Sequence, residues 1–308
     1  MSGTALLLPG QGSQFVGMGA DLAEQYPEAA ELYAEAEEAL GVPLRRLCRE
    51  GPTEELTRTE NAQPAILTHS YVVWRLLPQT LRDSVVVAAG HSLGEFTAYL
   101  CAGTLTFGDA LRIVRRRGEL MARARNGTMA AVIGLDDGKV RELCAAAHAG
   151  VVVAANFNAP GQVVISGDGP GVEEASTLAR EGGARRVLPL EVSGAFHSPL
   201  MEVAREGLAD ALTAATFRDP EFPVVANASA RPVGEAGEAR RLLLEQLTSP
   251  VRWVESIGVM REMGVGRWLE IGPGSVLCGL LRRIDRSLET GSVGSAEDVR
   301  AWREAEHG

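Results

Sequence analysis

Short apolar runs alternate along the chain with longer stretches in which apolar residues return at helical spacing. Thr4 to Leu8 is an apolar run that breaks at Pro9-Gly10-Gln11-Gly12, the pattern of a buried strand entering a loop. From Asp21 to Leu40 the chain is rich in Ala and Glu, and Leu22, Ala29, Leu32, Ala36 and Leu40 predict a helix. Asn61 to Leu77 predicts another, carrying Ile66, Leu67, Val72, Val73 and Leu76. Val85 to Ala89 is apolar, β-branched in its first half and bounded by Gly90, as in a strand buried on both faces. Helical composition resumes after Gly94 through Cys101, and Phe107 to Arg125 predicts a further helix. Strands alternating with helices predict an α/β fold with a parallel sheet covered on both sides.

Composition shifts after Asn126-Gly127. Met129 to Leu135 reads as a strand, Asp137 to Ala147 as a helix and Val151 to Ala155 as a strand. Gln162 to Ser166 is another strand, Gly171 to Glu181 a helix, and Ala184 to Pro189 a last strand. This β-α-β-β-α-β order is the ferredoxin-like signature. Residues 127–190 are therefore expected to form a small subdomain inserted into a larger one made of 1–126 and 191–287. The larger unit resumes with Val224-Val225-Ala226, a helix from Arg240 to Leu247 and a strand from Arg267 to Ile271. Residues 288–308 are polar and are expected to form a loose tail with at most one short helix.

Composition adds bounds. The 308 residues, 45% hydrophobic and 23% charged, suit a globular chain of about two domains or one with an insertion. A formal charge of −10 argues against a broad nucleic-acid surface. Cys48, Cys101, Cys144 and Cys278 are scattered, with no CxxC pair or metal-ligand spacing, and read as buried small hydrophobes. The N-terminus lacks the basic start of a signal peptide, and no run of about 18 apolar residues is free of charges or turn signals. These features predict a soluble cytoplasmic protein with no membrane span and no bound metal.

Gly90-His91-Ser92-Leu93-Gly94 matches the G-x-S-x-G elbow. The pattern alone is weak, and an ordinary Gly-rich turn with a capping Ser is its rival. Its place between a buried strand and a helix start strengthens it, because a sharp turn there presents Ser92 at the sheet edge. The Leu93 amide would then lie at a helix N-terminus, aimed at a developing oxyanion. A serine hydroxyl needs a base, and the histidines are His69, His91, His148, His197 and His307. His307 lies in the tail and His148 at a polar helix end. His91 adjoins Ser92, but neighbours on a strand point to opposite faces. His197 sits where the irregular segment Val192 to Phe196 enters a helix, which suits a base over a cleft; a satisfied loop histidine remains open at this point. Gly12 to Gly17 has phosphate-loop spacing, but Met18 stands where Lys is required, so that reading is rejected.

Taken together these residues resemble the malonyl-CoA:acyl-carrier-protein transacylase family, including polyketide synthase acyltransferase domains. The resemblance runs from Leu8 to about Ile284 in ordered blocks: Pro9 to Gln14, Gly90 to Glu95, Arg117-Gly118 with Met121, Asn156 to Ser166, Gly194 to Ser198, Gln246 to Trp253 and Glu270 to Gly274. It implies an α/β-hydrolase-like large subdomain with Ser92 as acylated nucleophile and His197 as general base. It implies Gln11 and the Leu93 amide as the oxyanion hole, and Arg117 as the grip on the malonyl carboxylate, which a planar guanidinium binds bidentately. Arg117 follows Arg115 and Arg116, a run that reads equally as a solvated face; helical geometry lets one of the three face a cleft, with Met121 on the same side. Gln246 falls where the family uses a main-chain carbonyl to orient the histidine, with Asp168 the nearest carboxylate alternative. Asn156 and Asn158 are implied near the coenzyme A or pantetheine arm.

The implied reaction is ping-pong transfer of malonyl from malonyl-CoA, the donor substrate, to the phosphopantetheine thiol of an acyl carrier protein, with no permanently bound cofactor. Phe196 before His197 favours malonyl over methylmalonyl, while Gly194 departs from the His of many polyketide-type domains. Two other readings stand beside it: a hydrolase that clears acyl groups from carrier proteins, and a non-catalytic docking module. With no ketosynthase or carrier segment attached, the chain is expected to act in trans, in fatty-acid or polyketide synthesis, and as a monomer. Its net charge does not exclude a carrier protein docking on a local basic patch.

Overall fold

Leu6, Leu7 and Leu8, like Val87, Ala88 and Ala89, are completely buried, as a parallel strand pair covered on both faces requires. In the computed structural model these runs lie side by side in parallel, Leu8 opposite Gly90. The structure describes residues 3–124, 127–192 and 194–307. Arg125, Asn126 and Ser193, at a predicted helix end, at a predicted boundary and in the loop before His197, lie outside the described residues.

Among the described residues the strands are β1 (Gly3–Leu8), β2 (Val85–Gly90), β3 (Thr128–Ile133), β4 (Val152–Ala159), β5 (Gln162–Gly167), β6 (Arg186–Pro189), β7 (Val224–Val225), β8 (Pro232–Val233), β9 (Val265–Ile271) and β10 (Thr290–Val293). One sheet has the order β10-β9-β1-β2-β7-β8, parallel except for β8. Alternate residues of β1 enter different cores, which is the period of 2 at work. Leu6 and Leu8 pack with the helices of the first half of the chain. Ala5 and Leu7 pack with Trp253, Ile257, Met260, Leu277 and Leu281 on the other face.

The second sheet is antiparallel throughout, in the order β4-β5-β3-β6. Its chain order, with helices Asp137–Ala146 and Gly169–Glu181 crossing between strands, is the predicted β-α-β-β-α-β. It has its own core around Val132, Phe157, Val163, Ile165 and Val172. Strand β4 is tied to the larger unit through Val251, whose amide donates to Ala155 O at 2.8 Å and whose carbonyl accepts from Phe157 N at 2.9 Å.

Two local differences, and one expected helix that continues through a proline, have clear causes. The helix expected over Asp21 to Leu40 is two helices, Ala20–Gln25 and Pro27–Leu40. Pro27 lacks an N–H and holds Tyr26 extended at φ −124°, ψ 112°. Pro64 inside helix Thr59–Leu76 does not break it; the Glu60 carbonyl that loses its donor there accepts from Arg115 Nη1 at 3.0 Å. The loose tail expected from residue 288 is corrected: β10 forms the sheet edge and helix Ala296–His307 follows it. Val293, Ala296 and Val299 are fully buried, and so few apolar residues carried little signal in a polar segment. The four cysteines are free and buried. Among the described residues no helix is long and apolar enough to cross a membrane.

Candidate active site

Strand β2 ends at Gly90 and a helix begins at Leu93, leaving His91 and Ser92 to make the turn. Ser92 takes φ 52°, ψ −105°, a conformation that costs an L-residue about 1–3 kcal/mol and persists only when its surroundings enforce it. Two glycines permit the close approach. A Cβ on Gly90 would sit 1.9 Å from the Gly94 carbonyl carbon, and one on Gly94 would sit 2.0 Å from Leu8 O. Asn227, fully buried, clasps the turn from both sides. Its Oδ1 accepts from Ser92 N and its Nδ2 donates to Gly90 O, each at 2.7 Å.

His197 Nε2 lies 2.7 Å from Ser92 Oγ. Its Nδ1 faces the carbonyls of Gln246 at 3.0 Å and Ser249 at 3.2 Å. Carbonyls only accept, so the proton resides on Nδ1 and the Nε2 lone pair is turned to the serine hydroxyl. Burial, and then the positive charge of Arg117, push the His197 pKa down to about 3, keeping the ring neutral. Gln246 caps helix Ala236–Glu245, shorter at its end than the Arg240 to Leu247 expected. A carbonyl at a helix C-terminus lacks its intrahelical partner, which leaves Gln246 O available to His197. Asp168 is elsewhere: it caps helix Gly169–Glu181 by accepting from Gly171 N at 2.8 Å.

Arg117 is 2% exposed, whereas its neighbours point away. Arg115 pairs with Glu119 at 2.8 Å and Arg116 lies 3.9 Å from the same carboxylate. Arg117 Nη1 donates to Gln63 Oε1 at 2.9 Å, and Nη2 donates to Gln246 Oε1 and Ser92 Oγ, both at 3.0 Å. The guanidinium carbon stands 5.3 Å from the centre of the Phe96 ring. Burial lowers its pKa to about 10, opposed by the charge of Glu95, so it remains a cation at neutral pH. Glu95 is itself fully buried and accepts from Asn227 N at 3.0 Å and Gln246 Nε2 at 2.7 Å. Desolvation raises its pKa to about 7 against those hydrogen bonds and Arg117.

A cavity of about 330 Å³ opens over this arrangement, and its lining includes Gln11, Ser92, Leu93, Arg117, Met121, Asn156, Asn158, Phe196 and His197. Of the residues singled out from the sequence, Gln246 alone lies behind the wall, fully buried. Irregular register in β4 around Asn156 and Asn158 accompanies the presence of both on the cavity. Asn158 Oδ1 meets His91 Nε2 at 2.7 Å, which occupies that histidine away from Ser92. Gly194 is explained by its neighbour: a Cβ there would lie 2.6 Å from the Phe196 ring. Among the described residues no cluster of His, Cys, Asp or Glu could hold a metal ion.

Residues 6–301 match the family model described as acyl transferase domain. The chain belongs to the acyl transferase domain family. Among relatives of this acyl transferase is the malonyl CoA-acyl carrier protein transacylase of Bacillus subtilis (strain 168), 46% identical over 97% of this chain and 96% of that one. The protein of the same name from Escherichia coli (strain K12) is 44% identical over 95% and 96%. The crystal structure of an acyl carrier protein S-malonyltransferase from Vibrio cholerae superposes with a TM-score of 0.94 at 44% identity, covering 97% of this chain and 99% of that one. A malonyl-transacylase solved in complex with its type II polyketide synthase acyl-carrier protein gives a TM-score of 0.94 at 41% identity, over 99% and 100%.

Within this acyl transferase, sequence reasoning missed Asn227, Glu95 and Gln63. Glu95 left a trace, as the one charge in the apolar helix Leu93–Cys101. Asn227 left none, because the elbow it holds is 135 residues away.

Proposed function

We propose that this acyltransferase moves a malonyl group from malonyl-CoA to the phosphopantetheine thiol of an acyl carrier protein, through acyl-Ser92. The observation that carries this reading is a buried cation touching a paired nucleophile: Arg117 Nη2 lies 3.0 Å from Ser92 Oγ, which also meets His197 Nε2 at 2.7 Å. A malonyl group has one methylene between its thioester carbonyl and its carboxylate, so a clamp this close to the nucleophile matches its length.

His197 Nε2 takes the hydroxyl proton as Ser92 Oγ attacks the thioester carbon. The oxyanion forms against the Leu93 amide, first in its helix, and Gln11; losing one such donor typically costs about 10²–10³-fold in rate. Collapse breaks the carbon–sulfur bond, and the departing coenzyme A thiolate takes the proton from His197. The carrier's thiol then attacks the acyl-serine in reverse, giving its proton to His197, which returns it to Ser92 Oγ. An acetyl group would leave Arg117 without its anion, which disfavours it. Phe196 supports malonyl by occupying cavity space beside the nucleophile, where a methyl branch would go.

The same reading places the protein in the cytoplasm as a monomer with no permanent cofactor, supplying fatty-acid or polyketide synthesis. It also divides the chain into a discontinuous catalytic unit and the inserted unit 127–190, supported by their separate sheets and cores. The test is intact-mass analysis of wild type, Ser92→Ala and Arg117→Ala after brief exposure to malonyl-, methylmalonyl- and acetyl-CoA. A malonyl adduct on wild type, absent from Ser92→Ala and replaced by acetyl in Arg117→Ala, is expected. Wild type that forms no adduct and releases no coenzyme A would overturn the reading. Release with added carrier protein but no acyl-carrier product would mark a hydrolase instead.

A further inference from the structure

Among the described residues, every hydrogen-bond partner of the buried Arg117 is neutral: Gln63 Oε1 at 2.9 Å, and Gln246 Oε1 and Ser92 Oγ at 3.0 Å each. The carboxylate nearest along these hydrogen bonds stands one amide further back, where Gln246 Nε2 donates to Glu95 Oε2 at 2.7 Å. A carboxylate in direct contact would neutralise the guanidinium and compete with an incoming anion. Set behind an amide, Glu95 leaves that charge open and still acts on it, opposing the burial that lowers the Arg117 pKa. The two side chains come from different helices, Leu93–Cys101 and Phe107–Arg123, and Gln246 joins them.

The Gln246 amide can stand only one way. Its Nε2 donates to Ser92 O at 2.9 Å and to Glu95 Oε2 at 2.7 Å, which uses both of its protons. Ser92 O is a main-chain carbonyl and only accepts. Glu95 Oε2 also receives the Asn227 N–H at 3.0 Å, so it faces donors alone and accepts in either state of the carboxyl; a proton belongs on Oε1, which has no partner among the described residues. The amide oxygen is thereby turned to Arg117 Nη2, which only donates. Reversed, the amide would set its oxygen against two acceptors and its nitrogen against a donor. Glu95, Asn227 and Gln246 are completely buried, so water does not take over for a lost partner. The main chain of Gln246 is held separately, through the carbonyl that faces His197 Nδ1 at 3.0 Å.

We propose that Glu95 is a positioning residue for the carboxylate clamp: by accepting from the Gln246 amide it points that amide's oxygen at Arg117 and holds the guanidinium beside Ser92 without occupying it. Glu95 is then a determinant of the preference for acyl groups that carry a free carboxylate. The proposal rests on the malonyl transfer reading above and deepens it.

The experiment is rapid-quench intact-mass measurement of Ser92 acylation, with malonyl-CoA and acetyl-CoA each below saturation, and the quantity read is the ratio of the two rates. The variants are Glu95→Leu, Glu95→Gln, Gln246→Met, Arg117→Ala and the Glu95→Leu/Arg117→Ala double. Glu95→Leu removes the acceptor, and the malonyl-to-acetyl ratio is expected to fall by about 10–100-fold, up to what a misplacement of about 1 Å costs. Gln246→Met keeps the main-chain carbonyl that serves His197 and removes only the amide; its ratio should fall as far. Glu95→Gln keeps an acceptor, because the Asn227 N–H holds its amide oxygen in place of Oε2. Its ratio should stay within about fivefold of wild type, the scale of one ordinary hydrogen bond. In the Arg117→Ala background, Glu95→Leu should lower the ratio no further, because the group it positions is gone.

Equal slowing of malonyl and acetyl transfer by Glu95→Leu and Gln246→Met would overturn the proposal, since a merely structural role moves both alike. So would a Glu95→Gln ratio as low as that of Glu95→Leu, or a ratio in the double below that of Arg117→Ala alone. If Glu95→Leu does not fold, as circular dichroism shows, Gln246→Met and Glu95→Gln decide. An Arg117→Ala ratio equal to wild type removes the clamp and the proposal with it, while the Ser92 adduct still stands. Absence of an adduct on wild type is the separate failure of the transfer reading itself.

Discussion

The hold of Asn227 on the nucleophile turn gives a prediction that no residue near Ser92 in sequence would suggest. Asn227→Leu keeps much of the side-chain bulk and removes both polar ends. Ser92 N and Gly90 O, each bonded to Asn227 at 2.7 Å, then lose their partners in a region where Asn227 is fully buried. An unsatisfied buried backbone group costs about 1–3 kcal/mol, so the pair costs roughly 2–6 kcal/mol. Relaxing Ser92 from φ 52° returns about 1–3 kcal/mol of strain. At the midpoints of these ranges the net loss is roughly 2 kcal/mol, together with a hydroxyl moved off the His197 line, and a misplacement of about 1 Å costs about 100-fold in rate. Urea unfolding measures the first quantity and rapid-quench acylation by malonyl-CoA the second. A variant with the wild-type urea midpoint and acylation rate would refute the argument that Asn227 enforces the turn. Lost stability with an unchanged rate would show that the elbow holds its shape without the clasp.

Further expectations follow from the charges around the turn. Arg117→Ala removes the buried cation proposed to hold the malonyl carboxylate; with about 3–6 kcal/mol at stake for two charge-assisted contacts to that carboxylate, the malonyl-over-acetyl preference should fall by about 10²–10⁴-fold in competition assays, and an unchanged preference counts against the clamp. Because the His197 pKa is held at about 3, first by burial and then by Arg117, kcat/KM should show no loss of activity from base protonation between about pH 6.5 and 5; an acid limb near 6.5 would contradict this, and in Arg117→Ala any such limb should move upward. For Glu95, with its pKa raised by desolvation from 4.5 to about 7, the folded chain keeps a proton that the unfolded chain has released within that window. Its contribution to stability therefore falls as pH rises from about 4.5 to 7 and is level above. Glu95→Gln should flatten that slope relative to wild type in urea titrations at several pH values, and parallel curves would dismiss the buried carboxyl as its source.

Much of this molecule was legible from its sequence because the signals were local. The unbroken apolar run in Val85 to Ala89 marks a strand buried on both faces, as it is from Val87 onward, although Val86 is exposed. The β-α-β-β-α-β order needs only consecutive elements, and it placed the antiparallel sheet of 128–189. The glycines of Gly90 to Gly94 carry the elbow in their side-chain-free crossing of Leu8. Other features depended on partners far along the chain. Thr290–Val293 is a strand because β9 and helix Ala296–His307 give Val293, Ala296 and Val299 a core, not because its own residues demand it. Gln63 meets Arg117 54 residues away, Thr59 meets Gln11 across 48, and Asn227 holds Ser92 across 135. Local propensity acts over a few residues, whereas the direction of a buried amide is set by whichever donor or acceptor the fold brings opposite it. The sequence by itself determined the strands, the turn and the kinds of side chain available; the tertiary structure alone decided which buried polar groups face one another, and so which way each points.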